Sequence, residues 1–160
     1  MSAPYPLLNK DFKEFVQFRN ANAVEYLVVG GYALMAHGYP RYTGDIDFWV
    51  DPAPASIANL SKALKQSGFA SVDLEEDFLV EQAVIQLGFP PARIDLMVAV
   101  SGVEFAGAYN PRSGVDLDGT RINVINRADF IRNKQATGCP KDFLDLKELG
   151  VDIEKLDKLE

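Results

Sequence analysis

The chain has 160 residues, 48% of them hydrophobic and 24% charged, the composition of one globular domain with a sizeable core and too little chain for two. Sixteen basic residues against 23 acidic ones give a net charge of −7, which disfavours a broad clamp on a nucleic-acid backbone, and the single cysteine excludes an internal disulfide and a four-cysteine zinc site. The opening MSAPYPLLNKDFKEF has no basic stretch ahead of an apolar run, and no later segment approaches ~18 continuous apolar residues, so a reducing cytoplasmic setting without membrane contact is expected.

Asn9 is a good N-cap, and Phe12, Phe15, Val16 and Phe18 follow at helical spacing, predicting a helix that packs on a sheet and stops at the polar RNAN. Tyr26 to Val29 is apolar and β-branched, a buried strand ending in Gly30 and Gly31; YALMAHG then reads as a short helix closed by Gly38. YPRYTG has turn chemistry and leads into DIDFWV, a second strand. Pro54 opens a helix with Ile57, Leu60, Ala63 and Leu64 as its apolar stripe and Gly68 as its stop, crossing back over the sheet. AVIQLGF and ARIDLMVAV are strand-like and joined through Pro90 and Pro91, closer to a hairpin turn than to a long crossover, which makes the sheet mixed. VEFAGAY reads as helix, and VDLDGTRINVIN carries the Asp118-Gly119 hairpin signal. Helices follow over Asp129 to Ala136, from Pro140 through KDFLDLKEL, and in DIEKLDKL. With no repeat and no linker, the order predicts an α+β (or α/β) fold, a mixed sheet flanked by helices with a helical C-terminus, as one domain over 1–160.

Strand alternation puts Asp45 and Asp47 on one face, ~6.5 Å apart at Cα, with Ile46, Phe48 and Val50 on the other. Carboxylates that close repel unless a cation lies between them, and magnesium suits their hard oxygens. On the later strand, Asp95 stands between Arg93 and Met97, on the face opposite Ile94, Leu96 and Val98. If the strands are neighbours, Asp47 and Asp95 bridge one ion while Asp45 helps hold another, an arrangement suited to two-metal phosphoryl transfer. Gly30 and Gly31, where a strand turns into a helix, would let backbone N–H groups approach a phosphate; alone, such a pair more often marks a tight turn. Thirteen residues, Tyr32 to Gly44, separate the glycines from the acids, room for one turn of helix and a return strand.

VVGGYA, that spacer, GDIDFWV and the later RIDLMV together resemble the nucleotidyltransferase superfamily related to DNA polymerase beta. The resemblance implies a mixed sheet flanked by helices and transfer of a nucleoside monophosphate from an NTP with release of pyrophosphate. It implies Gly30 and Gly31 as the phosphate-contacting turn, and Asp45, Asp47 and Asp95 as metal ligands for Mg2+, two ions, with Mn2+ as a substitute. Many members carry Ser at the second glycine, so Gly31 offers a backbone donor only. RNKQATGCPKDFLDLKEL resembles the C-terminal helix of small bacterial nucleotidyltransferases of toxin-antitoxin and abortive-infection systems. That likeness implies Lys134 on nucleotide phosphates, Lys141 with Asp142 completing the site, and an antitoxin protein as partner. In this scheme one ion lowers the pKa of the acceptor hydroxyl, Asp95 helps activate it, and the other ion, on Asp45 and Asp47, neutralises the leaving pyrophosphate. Arg41 and Thr43 clamp phosphate oxygens, the first with a planar fork and the second with a hydroxyl.

Other residues have plainer readings. His37 caps or packs near a helix end, Asp51 is solvated charge, and Cys139 has no base beside it. Trp49 and Tyr42 either sandwich a base or cover the core, and the plainer reading of Lys141-Asp142 is charge in a first helical turn. The acceptor is open: a tRNA end, a protein hydroxyl or a small molecule. The alternative to an enzyme is a non-catalytic nucleotide-binding or regulatory module of the same fold. Phosphohydrolases with an aspartyl nucleophile also use Asp-x-Asp, but Phe48-Trp49 lacks the small hydroxyl residue they usually show.

Overall fold

The computed structural model describes residues 10–39, 45–66, 84–88, 93–117 and 119–150. In chain order its elements are α1 (Lys10–Ala21), β1 (Tyr26–Val29), α2 (Gly30–Ala36), β2 (Asp45–Val50), α3 (Pro54–Gln66), β3 (Ile85–Leu87), β4 (Arg93–Met97), α4 (Phe105–Tyr109), β5 (Ser113–Leu117), β6 (Thr120–Val124), α5 (Arg127–Thr137) and α6 (Pro140–Glu148). Six strands form one sheet in the order β3-β4-β2-β1-β6-β5. β2 runs parallel to β4 and β1 to β6, and the other neighbours are antiparallel, so the sheet is mixed as the sequence predicts. Among the described residues no helix is long and apolar enough to cross a membrane.

The hydrophobic pattern explains the layers. Phe12, Phe15 and Val16 of α1 are buried, and the Phe15 ring meets Phe48 of β2 edge-on at 5.3 Å between centroids. All four residues of β1 are buried, as a central strand covered on both faces requires. Leu60, Ala63 and Leu64 are the buried stripe of α3, which begins the crossover that a parallel β2–β4 pair needs. Asn9, Gly68, the turn at Pro90 and Pro91 and the DIEKLDKL segment lie outside the described residues.

Three details depart from the sequence reading. α2 begins at Gly30, directly after β1, because Gly30 adopts φ +69 and swings the chain from extended to helical without an intervening loop. α5 begins at Arg127, two residues before the expected Asp129, because Asn126 is its N-cap and accepts the Asp129 N–H at 2.9 Å. Arg19, in the segment read as a polar stop, is fully buried. Its guanidinium lies 4.5 Å from the Phe15 ring centroid, 4.7 Å from Phe48 and 5.6 Å from Tyr26, so π-faces surround it in place of water.

Candidate active site

Register decides where the acids meet. Asp47 sits directly across from Asp95 in the parallel β2–β4 pair, and Asp45 across from Arg93, so 45, 47, 93 and 95 share one face of two adjacent strands. One carboxylate oxygen from each of Asp45, Asp47 and Asp95 lies within 4.8 Å of the others. β1 completes the frame from the other side, with Val29 opposite Asp47 and Gly30 next in chain. A Cβ on Gly30 would collide with the Asp47 carboxylate, so the glycine is needed for this close approach as well as for its backbone angle. Gly31 is the second residue of α2; Val29, at the N-cap, makes no side-chain cap hydrogen bond.

Crowding three carboxylates perturbs them. Burial, then repulsion from Asp45 and Asp95, pushes the Asp47 carboxyl up to about 7. Burial also raises Asp95, against the hydrogen bond from Asp47 and the charge of Arg93. Arg93 bridges the pair: its Nη2 donates to Asp45 Oδ2 at 2.8 Å and to Asp95 Oδ2 at 3.3 Å, and its Nε lies 3.1 Å from Asp95 Oδ1. Sequence reasoning gave Arg93 no role, although its position two residues before Asp95 already placed it on the acidic face. An oxygen-only donor set this tight, in which one carboxyl stays at the edge of ionisation even with Arg93 on its neighbours, suits a hard divalent cation.

Beside the triad a cleft of about 450 Å³ opens between the sheet and α5. Val29, Gly30 and Asp47 line it from β1, α2 and β2, Met97 and residues 99–101 from β4 and the segment after it, and Asn133, Lys134 and Thr137 from α5, its helical wall. Asn133 fixes that wall by donating to the Ser101 carbonyl at 2.9 Å. Lys134 is held from behind by α6, with Nζ 2.9 Å from Asp142 Oδ1 and 3.4 Å from Asp145 Oδ2. Thr137 Oγ1 donates to Asp142 Oδ2 at 2.5 Å. Burial pushes the Asp142 carboxyl up, but the hydrogen bonds from Thr137 and Lys134 and the Lys134 charge outweigh it and hold it below the usual carboxylate range. Asp142 is therefore an ion-pair partner, more than a charge in a first turn. Asp145, Asn133, Ser101 and Thr137 were not singled out from sequence; for Asp145 the signal was its i, i+3 spacing from Asp142 on one helix face.

The structure thus brings together Asp45, Asp47, Asp95 and Gly30, and sets Lys134, paired with Asp142, in the lining of the same cleft as Asp47 and Gly30. Arg41, Thr43 and Tyr42, and the side chain of Lys141, lie outside the described residues. His37 packs as expected: its Nε2 lies 2.8 Å from the Ile125 carbonyl, and its ring meets Phe130 edge-on. Trp49 is 1% exposed and edge-on to Phe105 at 5.2 Å, so of its two readings the core is the one realised and it cannot sandwich a base. Asp51 accepts the Ala53 N–H at 3.0 Å, closing the turn ahead of α3. Cys139 is exposed at the N-cap of α6.

Comparison with known proteins adds two findings. Residues 8–160 match the model of a family described as "Nucleotidyltransferase of unknown function (DUF6036)". Among solved structures, an antigenic nucleotidyltransferase-like protein from Paracoccidioides brasiliensis superimposes with a TM-score of 0.51 at 19% identity, covering 89% of this chain and 76% of that one. At that identity the likeness is one of fold, and it agrees with the mixed sheet flanked by helices. No curated protein sequence matches the chain. Neither description speaks of a toxin or an acceptor.

Proposed function

The chain belongs to that family of nucleotidyltransferases of unknown function, and from this premise we propose that it transfers a nucleoside monophosphate from an NTP to an acceptor hydroxyl, with magnesium held by Asp45, Asp47 and Asp95. The observation that carries the reading is the parallel register of β2 and β4, which gathers three carboxylates beside a cleft that is also lined by a lysine of α5. A divalent ion bound there supplies positive charge to the phosphates and acidifies the acceptor hydroxyl. The protein's own part is placement. Gly30 and Gly31 let the phosphates approach the uncapped start of α2, and Lys134 meets their charge from α5. Arg41 and Thr43 clamp phosphate oxygens from the segment before β2. Asp95 takes the acceptor proton as the acceptor oxygen bonds to the α-phosphorus and the bond to the departing pyrophosphate breaks.

The acceptor is a tRNA end, a protein or a small molecule. The narrower reading, a small bacterial toxin-type transferase with a compact antitoxin as partner and the cytoplasm as setting, rests on the likeness of the segment RNKQATGCPKDFLDLKEL to that branch, in which Lys134 and Asp142 act together, as their ion pair here allows. Incubation with each of four α-labelled NTPs, magnesium and a cell extract, followed by separation of RNA, protein and small molecules, tests activity and acceptor together. Label is expected in one fraction and absent with Asp45→Asn plus Asp47→Asn. Equal transfer by the double variant defeats the proposal; nucleotide binding without any transfer leaves the non-catalytic module.

A further inference from the structure

The proposed reaction leaves Arg93 without a task, yet it is the most heavily engaged cation of the acidic face. Its place on β4 gives it the same face as Asp95, and the register sets it opposite Asp45. Its Nη2 donates to one oxygen of Asp45, at 2.8 Å, and to one oxygen of Asp95, at 3.3 Å, while its Nε lies at ion-pair distance, 3.1 Å, from the other Asp95 oxygen without a hydrogen bond to it. Two of the three carboxylates are therefore already matched to a cation that belongs to the chain. An arginine guanidinium keeps its charge at any ordinary pH, so it does not leave by losing its proton. Its side chain is 31% exposed, so the head can swing toward solvent or toward an incoming phosphate without repacking the core. A divalent ion drawing on the same oxygens either displaces the guanidinium or sits beside it against like charge.

Resting on the metal-site reading above, we propose that Arg93 is a resident counter-cation, which holds Asp45 and Asp95 together in the metal-free protein and competes with the divalent ion for them. The bare site then takes the ion weakly and fills when the ion arrives with a nucleotide triphosphate. That ligand brings its own oxygens for the ion and negative charge for the displaced fork, which is already the right shape for phosphate. Removing Arg93 acts twice in the same direction: it deletes a competitor, and it leaves the metal-free carboxylates repelling one another, so the ion relieves more.

The test is titration of the whole protein with Mn2+, free ion read by electron paramagnetic resonance, which needs no turnover. Arg93→Gln is expected to bind Mn2+ at least tenfold more tightly than the wild type, and Arg93→Lys, which keeps the charge, to stay within about threefold of it. With a non-hydrolysable ATP analogue present, the gap between wild type and Arg93→Gln is expected to shrink. Equal or weaker binding by Arg93→Gln, while Asp47→Asn still abolishes binding, overturns the proposal and leaves the metal site standing; Arg93 would then order the ligands. Tight binding by Arg93→Lys, matching Arg93→Gln, also overturns it, because charge would not be what competes. If no protein binds Mn2+ in a way that depends on Asp47, the metal-site reading falls and this proposal with it.

Discussion

Arg19 is a full positive charge with no exposed surface, and its three side-chain nitrogens find no hydrogen-bond acceptor among the described residues. Burial pushes its guanidinium well down from the usual arginine range, with only a small opposing pull from Tyr26. The rings of Phe15, Phe48 and Tyr26 return part of that cost, on the order of 1–2 kcal/mol for a desolvated cation–π contact, but removing an ion from water costs several. The balance predicts that Arg19→Met, an unbranched apolar side chain two atoms shorter whose sulfur still meets the rings, raises stability by about 1–2 kcal/mol, while Arg19→Lys lowers it, since a compact ammonium is harder to desolvate and cannot stack. Urea denaturation midpoints of the three proteins check this; a Met variant less stable than the wild type would show that the ring box more than offsets desolvation.

At the scale of elements, α5 and α6 are locked through Lys134, whose side chain is 12% exposed and lies against Asp142 and Asp145 of α6. Asp145 is 1% exposed, so taking the lysine away leaves a buried carboxylate without that counter-charge. Lys134→Met is expected to cost about 2–3 kcal/mol in a denaturant midpoint, and adding Asp145→Asn to recover a good part of it. No recovery in the double variant would mean that the lysine matters to packing and not to charge. This contact also marks the boundary of what the amino-acid order discloses. The strands, both hairpins and the Asp45–Asp47 pair were legible because they rest on alternation and turn chemistry within a few residues. Asp95 was legible as a third acid, but its place across from Asp47 needed the parallel pairing of strands about fifty residues apart. Arg93 on Asp45 and Lys134 on Asp145 depend on the same long-range register and helix packing, and Arg19 looked like a helix stop because nothing local says which rings will cover it.

For the whole molecule, the acidic triad makes stability depend on pH and on divalent ions in a linked way. Asp47 carries a pKa of about 7 in the folded, metal-free protein against an ordinary value of 3.8, so folding favours its protonated form. The sign follows: this group's contribution is complete below the ordinary value, declines as pH rises toward 7, and is gone above it, at a cost on the order of 4 kcal/mol. A divalent ion reverses the trend because it binds the ionised carboxylate, and the net charge of −7 draws it in further. Melting curves in a chelator are therefore expected to fall from about pH 5 to pH 8 relative to Asp47→Asn, whose curve lacks this slope. Magnesium with a non-hydrolysable nucleotide should add little at the acid end and about 4 °C at the alkaline end, the shift expected when free ligand is roughly tenfold above its Kd. Asp47→Asn should lose that gain while melting no lower than the wild type in chelator at the alkaline end. A wild-type curve parallel to that of Asp47→Asn across the whole range would show that the three carboxylates do not strain one another, and the case for a cation between them would go with it.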